Sequence, residues 1–155
     1  MNSRVLYLLP QHLQIICTHA QNTYPDECCG LILGHLGREG KTVMEIMSTE
    51  NAWNSQADDF PGELTVKTIR SRYAIAPPVM LQAQKAARAQ DWNIIGIYHS
   101  HPDNCATPSE CDRRYAWAEY SYIIVSVQNG KAATVKSWIL DDHHQFQPET
   151  IENII

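Results

Sequence analysis

The sequence predicts a single α/β domain spanning residues 1–155, and three observations carry that prediction. Two β-rich runs, CCGLILGHLG at 28–37 and KTVMEIMST at 41–49, flank a glycine-bearing turn. Helix-forming segments follow Pro10 and Pro78, and residues 94–98 form a short apolar run of strand character. A length of 155 residues suits one self-supporting core.

Taken in order, Leu13, Ile16, Cys17 and Ala20 fall at i, i+3, i+4 and i+7 after Pro10, so they form one face of a helix that ends before Pro25. The two β-rich runs then pair as a hairpin across Gly37-Arg38-Glu39-Gly40. Residues 51–61 are polar and irregular, with Asp58, Asp59 and Pro61, and read as a surface loop able to wall a binding groove. From Pro78 to about Gln90 strong helix formers place Met80, Ala83 and Ala87 on one face, and the alanines permit close packing on a sheet. Residues 94–98 read as a strand buried on both faces that runs straight into His99. Thr107 as N-cap, Pro108 at the first helical position and Glu110 at the third predict a capping-box helix start, with the helix continuing to about Tyr120. Strands at 122–127 and 133–140 should pair antiparallel across Asn129-Gly130, and the polar tail from Asp141, including His143 and His144, is expected to be peripheral and exposed.

Composition narrows the function. An apolar share of 44% and a charged share of 19% are those of an ordinary globular chain. The net charge of -5 argues against a nucleic-acid partner, and the nearest basic group, Lys67, Arg70 and Arg72, reads as a solvated face. Five cysteines, an odd number, and an N-terminal stretch without the pattern of a secretory leader point to a reducing cytoplasm. No apolar run approaches the roughly 18 residues that span a bilayer, so no membrane partner is expected.

The chemistry is concentrated in Tyr98-His99-Ser100-His101-Pro102, followed by Ser109 and Asp112, which reads H-x-H-x(7)-S-x-x-D. Two histidines two apart on an extended chain project to the same side and reach one ion. Ser109 and Asp112, three apart at a helix start, share one face of its first turn. Two imidazoles and a carboxylate suit Zn²⁺ and leave the fourth tetrahedral position open, the arrangement of a catalytic rather than a structural zinc. Cys28 and Cys29 read as small core residues rather than nucleophiles, and Cys105 and Cys111 lack the tight spacing of zinc thiolates.

This string resembles the signature of the JAMM/MPN+ metalloproteases, and the resemblance extends to Pro25-Asp26-Glu27-Cys28-Cys29-Gly30-Leu31, to residues 72–78 and to the apolar strand before His99. It implies a cytidine-deaminase-like three-layer sandwich, with a mixed central sheet flanked by helices. It further implies one catalytic zinc on His99, His101 and Asp112, Glu27 as the general base, and Ser109 as a stabiliser of the oxyanion. A deaminase activity is disfavoured, since the H-x-E and P-C-x-x-C zinc signature is missing.

By the same resemblance the substrate is a ubiquitin-like protein cut after its C-terminal glycines. The short stretch between Asp112 and the final hairpin resembles compact bacterial members acting on sulfur-carrier proteins. The alternatives left open are a non-catalytic MPN scaffold, a zinc peptidase acting on unrelated peptides and a thiol peptidase using Cys28 or Cys29. Self-association into a homodimer is left open as well.

Overall fold

The computed structural model describes residues 5–53, 70 and 72–154. In chain order these form β1 (Val5–Leu8), α1 (Pro10–Thr23), β2 (Cys29–Leu36), β3 (Lys41–Thr49), α2 (Pro77–Ala89), β4 (Asn93–Pro102), α3 (Glu110–Arg114), β5 (Ser121–Gln128), β6 (Lys131–Leu140) and β7 (Phe146–Asn153). The fold is mixed α/β, as the sequence predicts.

The expected hairpins are both present. β2 pairs antiparallel with β3, and Gly37 N–H donates to the Gly40 carbonyl in the turn between them. β5 pairs antiparallel with β6, and Asn129 and Gly130 both take positive φ (50° and 81°), the handedness a tight I′ turn requires. β4 lies between them, antiparallel to β2 and parallel to β5. Ile95, Ile97 and Tyr98 are buried, which explains why 94–98 is apolar without alternation.

Each face of these central strands carries a helix. Ile16 and Ala20 of α1 join Leu6, Leu8, Ile32, Val43, Tyr98 and Val125 in one core, with Leu13 and Cys17 packed on its margin. Ala83 and Ala87 of α2 pack with Leu31, Leu33, Ile97 and Tyr122 in the other, with Met80 beside them. Two alanines facing the sheet let α2 lie close to it, the reason helix formers of small volume occupy that face.

The ends of the sheet meet. β1 pairs parallel with both β3 and β7, so the order β1-β3-β2-β4-β5-β6-β7 closes into a barrel, where a three-layer sandwich with a mixed central sheet was expected. Two strands of this closure, β1 and β7, are absent from the sequence-based expectation. The tail after Asp141, expected to be peripheral, supplies β7, which pairs with β6 as well as β1. A buried polar chain fixes this seam. Glu149 of β7 accepts from Ser121 Oγ (3.0 Å) and Ser137 Oγ (2.7 Å), and Lys41 Nζ of β3 donates to the same Ser121 Oγ (2.9 Å). Burial of these groups is tolerated because each has a partner. His143 and His144 are exposed, as expected.

The third helix is shorter than expected. It starts with Ser109, not Thr107, as N-cap and stops at Arg114 rather than near Tyr120. Competing hydrogen bonds end it: His144 Nε2 sits 2.8 Å from the Arg113 carbonyl, and the Tyr122 hydroxyl takes the Trp117 N–H at 2.6 Å. Most of the 51–61 loop, and Lys67 of the basic group, lie outside the described residues. Arg72 corrects the solvated-face reading of that group. It is buried, with its guanidinium over the rings of Trp53, Tyr73 and Tyr115 at 5.0, 5.6 and 5.1 Å.

Gly30 illustrates how tightly the α1 face is packed. A Cβ there would lie 2.2 Å from Tyr98 Cε1, and the Tyr98 hydroxyl is itself held by His19 Nδ1 (2.8 Å) and Ser48 Oγ (3.0 Å). We expect Gly30→Ala to lower stability by about 1–3 kcal/mol. A urea titration reads this directly, and an unshifted midpoint would show that the Tyr98 ring can yield.

Candidate metal centre

The extended backbone of β4 turns His99 and His101 to one face and Ser100 to the other. On the first face, the Nε2 atoms of His99 and His101 approach to 3.1 Å. Asp112, from the first turn of α3, places Oδ1 3.3 Å from His99 Nε2 and Oδ2 3.2 Å from His101 Nε2. All three side chains are buried, and their ligand atoms lie within 4.8 Å of one another.

Local bonds orient each donor. His101 Nδ1 lies 2.8 Å from the Cys105 carbonyl, which can only accept, so this nitrogen carries the proton and Nε2 presents its lone pair to the centre. Asp112 is set by a reciprocal cap: its N–H donates to Ser109 Oγ (3.0 Å), and its Oδ2 accepts from Ser109 N–H (2.8 Å). Tyr73 stacks on His99 with centroids 4.5 Å apart and planes 25° from parallel. Buried His99 Nδ1 has no hydrogen-bond partner among the described residues.

Electrostatics match this packing. Burial lowers the His99 pKa, outweighing the pull of Asp112. For His101 burial acts the same way, but hydrogen bonding and charge from Asp112 prevail and raise it. Burial opposes ionisation of Asp112, yet the two imidazoles beside it, His99 foremost, hold its carboxyl well below the usual range. Two imidazole nitrogens and an ionised carboxylate converging in a buried spot form a donor set that fits zinc.

Glu27 is buried and precedes β2 by two residues rather than lying within it. The Cys29↔His99 pairing continues through Cys28, whose carbonyl accepts from Ser100 N–H (3.1 Å) and whose N–H donates to Ser100 Oγ (2.8 Å). Glu27 therefore comes opposite His101 and on its face, and its charge is felt there. The structure thus gathers His99, His101, Asp112, Ser109 and Glu27 into one neighbourhood. Ser100, Tyr73 and Asn51 also shape it and were not singled out from the sequence. Only Ser100 carried a signal, since the residue between two ligands on a strand must face the opposite layer.

Of the cysteines, all five are free thiols. Burial pushes Cys28 up to about 11 and Cys29 up to about 12. Cys105 is exposed and Cys111 half-buried, and neither belongs to the convergent donor group.

A two-faced sheet whose central strand ends in a His-x-His pair, set against a carboxylate on a capped helix, defines a class of mixed α/β domain with a buried donor set at the end of that strand. The profile of the family described as prokaryotic homologs of the JAB domain matches residues 9–141, and the chain belongs to that family. It is 26% identical over 151 residues to a desampylase of Haloferax volcanii, covering 94% of this chain and 96% of the relative. A solution structure of a Salinibacter ruber protein superposes with a TM-score of 0.69 at 28% identity, covering 96% of this chain and 91% of the other. One from Desulfitobacterium hafniense reaches 0.77 at 24% identity, covering 96% and 92%, a likeness of fold. The resemblance read from H-x-H-x(7)-S-x-x-D is thereby borne out at the level of family.

The Ser109 cap is testable without metal. In chelator, Ser109→Ala should cost about 0.5–2 kcal/mol, the usual range for losing an N-cap. Chemical denaturation measures it, and an unchanged stability would mean that the Asp112 carboxylate alone holds the turn.

Proposed function

We propose that this protein is a zinc-dependent peptidase or isopeptidase that cleaves after the C-terminal glycines of a ubiquitin-like protein of the sulfur-carrier kind. The observation that carries this reading is the convergence of His99, His101 and Asp112 beside a buried Glu27 on the same face of the sheet. Membership in the JAB family and similarity to a desampylase support a hydrolase with a ubiquitin-like modifier as substrate. Helices on both faces of β2, β4 and β5 support a cytidine-deaminase-like layering in which the outer strands have curled together.

His99, His101 and Asp112 would hold the zinc, which when bound supplies a Lewis acid that acidifies water and polarises a carbonyl. Glu27 then accepts the proton of the attacking water and delivers it to the departing amine. Ser109 Oγ already accepts the Asp112 N–H, so its own hydrogen remains free to donate to the carbonyl oxygen as charge develops there. The substrate tail would reach the donors as an extended segment, and thin glycines would pass Tyr73, which stacks on His99, with the least obstruction.

Among the described residues no helix is long and apolar enough to cross a membrane, and the free thiols accord with the cytoplasmic location we assign.

A sulfur carrier extended past its glycine pair serves as substrate, and mass spectrometry reads release of the added peptide. The wild-type protein should cleave it, lose activity in chelator and recover it with zinc, and Glu27→Gln should fall by about 10²–10⁴-fold. No cleavage by a zinc-loaded chain would turn the reading towards an MPN scaffold, and equal cleavage of tails ending in bulky residues would sink the glycine preference.

The thiol alternative makes its own prediction. Groups titrating near 11 and 12 stay protonated at pH 8, so iodoacetamide should modify exposed Cys105 while sparing Cys28 and Cys29, with activity retained. Rapid labelling of Cys28 or Cys29 with loss of activity would favour the thiol route.

A further inference from the structure

Just beyond β3, the Asn51 side chain makes four hydrogen bonds, all to backbone. Its Nδ2 donates to the carbonyls of Glu27 (3.0 Å) and Arg72 (2.9 Å), and its Oδ1 accepts from the N–H groups of Trp53 (3.0 Å) and Ala74 (3.1 Å). A carboxamide offers two donors and two acceptor lone pairs, so its whole capacity is used. Three stretches of chain meet at this one group.

Two of those stretches reach the metal centre. Glu27 lies on the face of His99 and His101, as shown by the register of β2 against β4. The bonds to the Arg72 carbonyl and the Ala74 N–H bracket Tyr73, whose ring lies on His99 at 4.5 Å. Residues 27 and 72–76 belong to no helix or strand; the Cys28–Ser100 bonds end the pairing before Glu27, and a backbone bond from Ala52 N–H to the Ala74 carbonyl reaches the second stretch. A rigid scaffold normally aligns catalytic groups, and here two of the approaches are irregular backbone.

We propose that Asn51 is a positioning residue of the metal centre: its amide locks the Glu27 segment and the Tyr73 segment against His99 and His101 as one unit. The inference rests on the proposed function only where it concerns the role of Glu27. Aspartate tests it sharply. It matches asparagine in shape and keeps an oxygen for Trp53 and Ala74, but its second oxygen would confront the Glu27 and Arg72 carbonyls with no hydrogen to give.

The experiment compares the zinc-loaded wild-type chain with Asn51→Asp, Asn51→Ala and, as a control for added charge on exposed α1, Asn22→Asp. Hydrogen exchange is followed by mass spectrometry, alongside zinc content and kcat and KM on the glycine-tailed carrier. In Asn51→Asp, exchange at residues 26–29 and 72–75 should rise about tenfold or more while β4 stays protected. Zinc content should match wild type, and kcat should fall about 100-fold with KM changed by less than about threefold. Asn22→Asp should change none of these.

Unchanged exchange in those two segments overturns the inference whatever the kinetics. So does wild-type kcat in Asn51→Asp, or a raised KM with kcat intact. Global loss of protection in both Asn51 variants makes the residue merely structural and overturns it too. If the wild-type chain itself does not cleave the carrier, the proposed function fails, and local exchange in the two segments alone decides for or against Asn51.

Discussion

The junction between Cys28 and Ser100 is the contact on which the site depends. Ser100 donates its N–H to the Cys28 carbonyl and accepts the Cys28 N–H on its hydroxyl, in a fully buried position. The side to which each neighbouring side chain points then follows from parity. Because Ser100 faces the α1 layer, His99 and His101 must face the α2 layer, and the residue before Cys28 arrives opposite His101. A slip of one residue would send Glu27 to the wrong side of the sheet. The serine between two histidines is thus a fixing point, joining the segment that carries the acid to the strand that carries the imidazoles.

Around that junction the site is assembled with little slack. Asp112 uses its backbone and carboxylate to cap its own helix with Ser109, so the same two residues set the helix start and aim a donor. Three ionisable groups packed together in a buried place would ordinarily be costly. Here mutual attraction keeps Asp112 ionised, and the Cys105 carbonyl selects the tautomer of His101. The result is a buried donor set whose members are each oriented by local bonds.

Much of this was legible in the sequence because it is local. The H-x-H pair needs only strand parity, and the faces of α1 and α2 follow from helical spacing, whereas the capped start of α3 was read two residues early, on Thr107 instead of Ser109. What could not be read is set by distant partners. β7 carries Pro148 and the acidic Glu149 and looks like a tail; its pairing comes from β1 and β6, and Glu149 is buried because Ser121 and Ser137 meet it. Arg72 looked like a surface cation because nothing near it in sequence announces Trp53 and Tyr115 above and beside it. Asn51 looked like the first residue of a loop, and its role appears only once three segments have been folded around it. Helix α3 was read too long because its terminating partners, Tyr122 and His144, lie on other elements.

The parallel pairing of β1 with β7 has a consequence for how the chain comes into being. The metal donors occupy positions 99–112, whereas the seam joins residues 5–8 to residues 150–153. On a ribosome the strands and helix of the centre are therefore synthesised well before the strand that completes the circuit. Contacts of such long sequence separation form late and slowly. The nascent chain should pass through a stage in which the ion-binding half is laid down while the first strand still waits, one edge unpaired, for the last.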